Sequence, residues 1–590
     1  MCGLAGWLYT PKNAPDSSVL RSMATSIAHR GPDDEGFFED RAAGLGFAHR
    51  RLSIIDLSDA SHQPMVDRES GVVLAYNGEL YNFRDVRREL EALGHRFNSR
   101  GDTEVVLRAY IEWGIDAFSR FAGMFAIALW DPRKQTLHLA RDAMGIKPLY
   151  FTSFDKGVVF ASEVKAFSRL PGFNSELDEG SVEQFLEFGY VFDDLRTMLD
   201  GVHKVAPGTR MEIRNGAVAA SESFYEPSGF LSPDEPGEAL RVQGLYRALS
   251  GVVKEHLIAD VPCGLLLSGG LDSSLLAAMA VKHGELRTVS MGFASSKVDE
   301  RPQAAAVARF LGTNHSEVLI SSEDVVSEVR SGAWVFDDLF GDWGTITTRI
   351  LYRKCRELGL KVVLVGEGAD ELFGGYREVF ERPPELGLLQ QFKLYRQYSG
   401  RRYGGLFVEF RRVMQDYLNM ANGDSFEAIR LFETRRQLPN QFVMKVDKAS
   451  MAESIEARAP FLDCRVANVA YQTPRKWLLR NGENKYLLRA VARQYGLLPE
   501  TTARQAKFGA PLSSSWMDES SSMRKFAQER ILDGPQVLRF GLRPAMEAYF
   551  LKGRSGFGLP RSLSIFRNLA WRLLLLELWA PVYVGKQTAT

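Results

Sequence analysis

A chain of 590 residues exceeds what one hydrophobic core usually serves, so at least two domains are expected. Lysine plus arginine and aspartate plus glutamate both number 73, and this formal neutrality excludes any global attraction to nucleic acid or an anionic membrane. The cysteines Cys2, Cys263, Cys355 and Cys464 are too scattered for a disulfide framework and make no C-x-x-C pair, which predicts a reduced, cytoplasmic chain.

Up to roughly residue 200, short apolar runs alternate with Gly, Asn and Asp turns, as at 44–48, 72–76 and 124–130. Helical spacing appears at 84–93 and 103–118. An antiparallel-rich α/β layered domain over 1–205 is the simplest reading. Connecting strands and a linker fill 206–237, where the stretch from Pro227 to Glu238 concentrates proline, glycine and acids. From 238 to 590, helix and strand alternate as in a parallel sheet flanked by helices, with a helical extension at the end. The late apolar segment from Leu569 to Val584 is interrupted by Arg572, Glu577 and Pro581, and reads as a buried helix rather than a membrane span.

The amino terminus carries the first candidate chemistry. Cys2 directly follows the initiator methionine, and so small a side chain normally permits removal of that methionine. The freed α-amine, with an ordinary pKa of about 7.7–8.0, would serve as a base beside the thiol.

A second candidate lies at 261–278, where an apolar strand breaks at Ser268-Gly269-Gly270 and resumes as a helix after Asp272. Adjacent glycines let backbone amides point inward, and Ser273 and Ser274 sit where a helix exposes unpaired N–H groups, so the turn can cradle phosphate. It lacks the lysine of a G-x-x-x-x-G-K-[ST] loop and has Asp272 instead, a carboxylate suited to Mg²⁺. An ordinary strand-to-helix turn is the plain alternative. The apolar run 361–365 ends in a glycine- and acid-rich loop holding Gly366, Glu367 and Asp370, so Asp272 and Asp370 both fall just past strand ends, where ligands gather in open α/β sheets.

The run Ser268-Gly269-Gly270-Leu271-Asp272-Ser273-Ser274 matches the signature of the PP-loop ATP pyrophosphatases, and the likeness extends over the C-terminal two thirds of the chain. Cys2-Gly3-Leu4-Ala5-Gly6, together with His29-Arg30-Gly31-Pro32-Asp33, Tyr76-Asn77-Gly78-Glu79-Leu80 and Gly101-Asp102-Thr103-Glu104, resembles the class II glutamine amidotransferases. Later blocks, among them 141–150 and 161–165, are similar to the asparagine-synthetase branch. The resemblance implies an N-terminal-nucleophile hydrolase αββα domain followed by a parallel-sheet α/β PP-loop synthetase domain. It implies Cys2 as nucleophile, with the Asn77 side chain and the Gly78 N–H as oxyanion donors. Arg51, Leu52, Ser53, Ile54, Ile55, Glu79 and Asp102 would hold glutamine, Arg51 at its carboxylate and Glu79 with Asp102 at its ammonium. Leu266, Ser268, Gly269, Gly270, Asp272, Ser273, Ser274, Met291, Val365, Gly366, Lys448 and Lys507 would hold ATP. Asp272 and Asp370 would hold Mg²⁺, and Glu367 would take a proton from attacking ammonia.

Two departures bear on the acceptor. The family pattern R-x-K-x-x-F is met only by 504–511, where Lys507 adjoins Phe508, and Trp343 stands where one branch has an arginine for the aspartate α-carboxylate. The expected substrates are ATP, glutamine and aspartate, with a carboxylate on a sugar, peptide or secondary metabolite as the alternative acceptor. A homodimer is the expected assembly.

Overall fold

The computed structural model describes residues 2–227, 237–293, 299–381, 385–396, 403–504, 521–551 and 560–585. Two six-stranded antiparallel sheets occupy the N-terminal region. In the first, strand Gly3–Tyr9 lies centrally between Leu45–Arg51 and Gly157–Ala161. In the second, Val73–Leu80 pairs with Gly123–Asp131, which pairs in turn with Thr136–Arg141.

Alternation along these strands explains the layers. Leu4, Leu8, Phe47, Val73, Ala75, Ala126, Trp130 and Phe160 point between the sheets and form one core. The intervening residues Leu74, Tyr76, Phe125 and Ile127 face outward and pack under the helices Phe83–Ala92 and Thr103–Trp113. On the opposite flank Ala5, Trp7 and Tyr9 pack with Leu20 and Met23 of helix Ser17–Ser26. The result is the expected αββα sandwich. The second sheet runs on past residue 205, because Thr209–Arg214 pairs with the strand Thr136–Arg141 and Ala217–Ser223 forms its edge.

The C-terminal region carries a five-stranded parallel sheet in the order Asn314–Ile320, Arg287–Phe293, Cys263–Leu266, Val362–Leu364, Glu456–Arg458. Helix Pro560–Tyr583 buries Leu569, Trp571, Leu573 and Trp579, and among the described residues no helix is long and apolar enough to cross a membrane.

The two regions share a buried, charged boundary. The Arg30 guanidinium pairs with Glu163 at 2.8 Å and with Asp447 at 2.9 Å, and Lys147 lies 3.3 Å from the same Asp447. Tyr81 stacks on His256 at 3.5 Å. Burial pushes His256 and His49 down to about 3 each, so folding favours the neutral rings. Their stabilisation is complete above the ordinary value of 6.5 and is lost as pH falls toward 3. At pH 5 each buried ring should cost about 2 kcal/mol. Chemical unfolding at pH 7 and pH 5 should therefore differ strongly, and His256→Phe should shrink the difference. An unchanged difference in that variant would mean the ring is not held neutral.

Candidate active sites

The two antiparallel sheets meet at Cys2. Strand Gly3–Tyr9 presents it from one sheet, and Asn77 comes from strand Val73–Leu80 of the other. The Cys2 backbone N–H donates to Asn77 Oδ1 at 2.8 Å. Asn77 is fully buried, and its Nδ2 has no hydrogen-bond partner among the described residues. An unsatisfied N–H donor is thus held on the amide that bonds the Cys2 backbone, and a developing oxyanion is stabilised by donors of this kind. Burial pushes the Cys2 thiol up, opposed in part by the Leu52 backbone N–H and by Arg51. Beside Asn77, a Cβ on Gly78 would fall 2.2 Å from the Met124 carbonyl, so only glycine fits. Asn77→Ala should lower glutamine hydrolysis by about 10²–10³-fold with little change in glutamine KM. Steady-state glutaminase assays check this.

Arg51 braces the loop that follows it, donating to the Asp56 carbonyl at 2.5 Å and the Ser58 carbonyl at 3.1 Å. Leu52 and Ile54 are buried, Ile55 is half-buried, and the Ser53 N–H donates to Asp33 at 2.7 Å. Asp102 Oδ2 accepts from the Tyr76 hydroxyl at 3.0 Å and the Leu80 N–H at 2.9 Å, and burial raises its pKa. Burial, with Glu456, also raises Glu79, while Arg458 at 3.2 Å opposes the rise. Arg458 is fully buried, and its Nε lies 2.5 Å from Glu456 on the same strand. It ties the parallel sheet to Glu79 of the N-terminal region and is not among the residues that line the cavity of the C-terminal region.

That cavity, about 580 Å³, opens at the carboxyl ends of the parallel strands. Leu266, Ser268, Gly270, Asp272, Ser273, Met291, Val365, Gly366, Glu367 and Asp370 line it. Gly269 and Ser274 are not among the lining residues. Gly269 has φ +76°, and a Cβ there would meet the Ala304 N at 2.6 Å, so the tight turn demands glycine. The Ser268 hydroxyl accepts from the Gly270 N–H at 3.2 Å and lies 3.0 Å from the Ser273 hydroxyl, which shapes the cradle at the start of helix Leu271–Ala280.

Of the two expected phosphate lysines, one is placed differently. Lys448 is buried away from the lining, paired with Asp337 and stacked 5.1 Å from the Tyr150 ring. Lys507 lies outside the described residues. Among the described residues, two other lysines face the cavity, Lys485 and Lys445. The Lys485 ammonium sits 2.6 Å from both Asp272 and Asp370, and these carboxylates hold it protonated against the opposing effect of burial. Its backbone has φ +52°, an uncommon conformation for a side-chain residue, at the start of helix Tyr486–Gln494. A Cβ on Gly375 would stand 2.3 Å from Lys485 Cε and 1.8 Å from Asp370 Oδ1, so that glycine makes room for the cluster. Lys445 pairs with Asp342 at 2.8 Å, and Asp342 with Glu367 raises its pKa against burial. Trp343 is turned out of the cavity onto Trp571. The one sequence sign of Lys485 is a lysine directly before an amphipathic stretch, Tyr486-Leu487-Leu488-Arg489, a common surface pattern.

The model of the glutamine amidotransferase domain matches residues 1–225, and that of asparagine synthase matches 244–580. Asparagine synthetase [glutamine-hydrolyzing] 1 of Bacillus subtilis is 32% identical, with 87% of each chain covered. Asparagine synthetase [glutamine-hydrolyzing] 3 of the same organism is 27% identical over 91% of this chain and 92% of its own. A solved allosteric regulatory enzyme of purine biosynthesis overlaps with TM-score 0.30 and 15% identity, over 54% of this chain and 80% of its own. With Cys2 set against Asn77 in one domain and a serine–glycine turn opening on a separate cavity in the other, the chain belongs to the asparagine synthase family of glutamine-hydrolysing, ATP-dependent ligases.

Proposed function

We propose that the protein is a glutamine-dependent asparagine synthetase working through an acyl-adenylate. The Cys2 sulfur attacks the glutamine side-chain carbonyl, and Asn77 Nδ2 with the Gly78 N–H receives the oxyanion. Ammonia leaves, and water cleaves the glutamyl thioester. In the second cavity a carboxylate oxygen of aspartate attacks the α-phosphorus of ATP and expels pyrophosphate. Ammonia then attacks the acyl carbon, Glu367 takes the proton and AMP departs, giving asparagine. The lone pair of ammonia survives only away from bulk water, which a buried boundary between the domains favours.

One observation carries this reading: the Lys485 ammonium is shared by Asp272 and Asp370 at the mouth of the serine–glycine turn. A cation balanced between two carboxylates suits a site that must accept and release a tetra-anionic nucleotide tail. Asp272 and Asp370 are hard oxygen donors on one side of that cavity, and this fits Mg²⁺. When bound, the ion would neutralise phosphate charge, while Lys485 supports the departing pyrophosphate. The test supplies ATP, Mg²⁺, amide-¹⁵N-glutamine and aspartate and looks for ¹⁵N-asparagine with equimolar AMP. AMP formed only with another carboxylic acid would replace aspartate as acceptor. That second reading draws on Trp343, whose ring is stacked on Trp571, so that an acceptor's carboxylate would have to compete with Asp342 for the Lys445 ammonium.

A further inference from the structure

The segment from Phe336 to Trp343 is held between two parts of the molecule before it reaches the cavity. Asp337 Oδ2 accepts from the Lys165 N–H at 2.9 Å, and Asp338 Oδ1 accepts from the Met198 N–H at 3.0 Å, both in the N-terminal region. The Gly341 N–H donates to the Gly189 carbonyl at 2.5 Å. From the other side comes the terminal helix. Its fully buried Trp571 donates from Nε1 to the Gly341 carbonyl at 3.2 Å and stacks on Trp343 at 4.4 Å with 15° between the rings. Trp343 Nε1 is 3.4 Å from Asn568 Oδ1 on the same helix. Arg572 fills the space beside Gly341 and donates to the Leu186 carbonyl at 2.8 Å.

The segment then delivers Asp342 to the cavity. One Asp342 oxygen accepts from the Gly344 N–H at 2.7 Å and fixes the start of helix Gly344–Glu357, whose Thr347 and Tyr352 line the cavity. The other oxygen holds the Lys445 ammonium. Asp342 and Gly344 line the cavity, yet the Trp343 side chain between them is spent on the terminal helix. A residue flanked by two lining residues and clamped from behind sets where both of them point.

We infer that Trp571, through its stack on Trp343 and its bond to Gly341, is a positioning residue for the acceptor end of the synthetase cavity. The terminal helix thereby tunes acceptor recognition by Asp342 and Lys445 without touching the acceptor. The inference rests on the proposed function for its kinetic consequence, though not for its structural one. Loss of the stack should loosen the start of helix Gly344–Glu357 and displace the Asp342–Lys445 pair. The serine–glycine turn, on another strand, should stay as it is.

The experiment compares Trp571→Leu, Trp343→Leu and the aromatic Trp571→Phe. Hydrogen exchange of the full chain, which needs no acceptor, should be faster over 337–347 in both leucine variants and close to the parent over 268–280. Trp571→Phe keeps a ring for the stack but lacks the bond to the Gly341 carbonyl, so it should lie between the parent and the leucine variants over 337–347 and near the parent over 268–280. With whichever carboxylic acid drives pyrophosphate release in the parent enzyme, acceptor KM should rise roughly tenfold or more in the leucine variants. ATP KM and glutaminase kcat/KM should remain within about twofold. Exchange over 337–347 unchanged in the leucine variants would overturn the inference. So would an equal rise in ATP KM and acceptor KM, the mark of a general loss of packing. Failure of the parent with aspartate would count against the proposed acceptor alone, since the exchange result stands without it.

Discussion

Replacing Lys485 by methionine is expected to stop amide synthesis while leaving glutamine hydrolysis near its parent rate. The substitution keeps the aliphatic stem in the slot that Gly375 leaves open and removes the ammonium lying 2.6 Å from Asp272 and Asp370. The two carboxylates would then lose the cation they share, and the cavity would become more negative by one unit. The triphosphate would meet this more negative lining, and pyrophosphate would leave without the Lys485 ammonium to take up its charge. The two losses act on the same step, so synthesis should fall by about 10³-fold or more with glutamine and with ammonium salts alike. Lys485→Arg should recover little, because its wider planar head must fit where a single added methyl on Gly375 would already sit 2.3 Å from the Lys485 Cε. Pyrophosphate release with ammonium as nitrogen source, run beside a glutaminase assay, measures both halves. Synthesis within tenfold of the parent would remove Lys485 from the chemistry. Equal loss of both activities would point to misfolding instead.

The contrast between Lys485 and Lys448 shows where sequence reasoning stops. The serine–glycine turn is legible because its chemistry is local: the run 268–274 is contiguous in sequence, with a strand before it and a helix beginning within it. The layered N-terminal domain is legible too, since its inward residues alternate with outward ones. Lys485 leaves no such trace, because its partner Asp272 is 213 residues away. Lys445 and Lys448 lie on one helix, Val443–Ala452, whose residues are buried nearly all round, so periodicity cannot tell which lysine meets the cavity. The same holds for the edge strand Ala217–Ser223, which is largely exposed and lacks an alternating apolar face, and so reads as connection. Trp343 is a sharper case. Its sequence position fits a cavity residue, and only the terminal helix more than two hundred residues later explains why its ring turns away.

Cys2→Ala should separate the two domains' chemistry from the opposite side. Cys2 is buried at 7% exposure, its backbone N–H is fixed on Asn77, and its carbonyl accepts from Arg30 Nε at 3.1 Å, so loss of the sulfur disturbs little packing. What vanishes is the nucleophile, and the Asn77 donor is left with no oxyanion to bind. Glutamine hydrolysis should drop by at least about four orders of magnitude, because removal of an attacking group leaves only residual stabilisation by the remaining site. Synthesis from ammonium salts should continue at the parent rate, since ammonia then enters without passing Cys2. Because only neutral ammonia attacks, that rescue should strengthen as pH rises toward the pKa of ammonium, whereas the glutamine-driven reaction of the parent delivers ammonia already unprotonated and should depend less on bulk pH. Asparagine formed from glutamine and from ammonium, each followed across pH 7 to 9 in parent and variant, makes the comparison. Glutamine-driven synthesis persisting in Cys2→Ala would place the nitrogen-releasing nucleophile elsewhere in the chain.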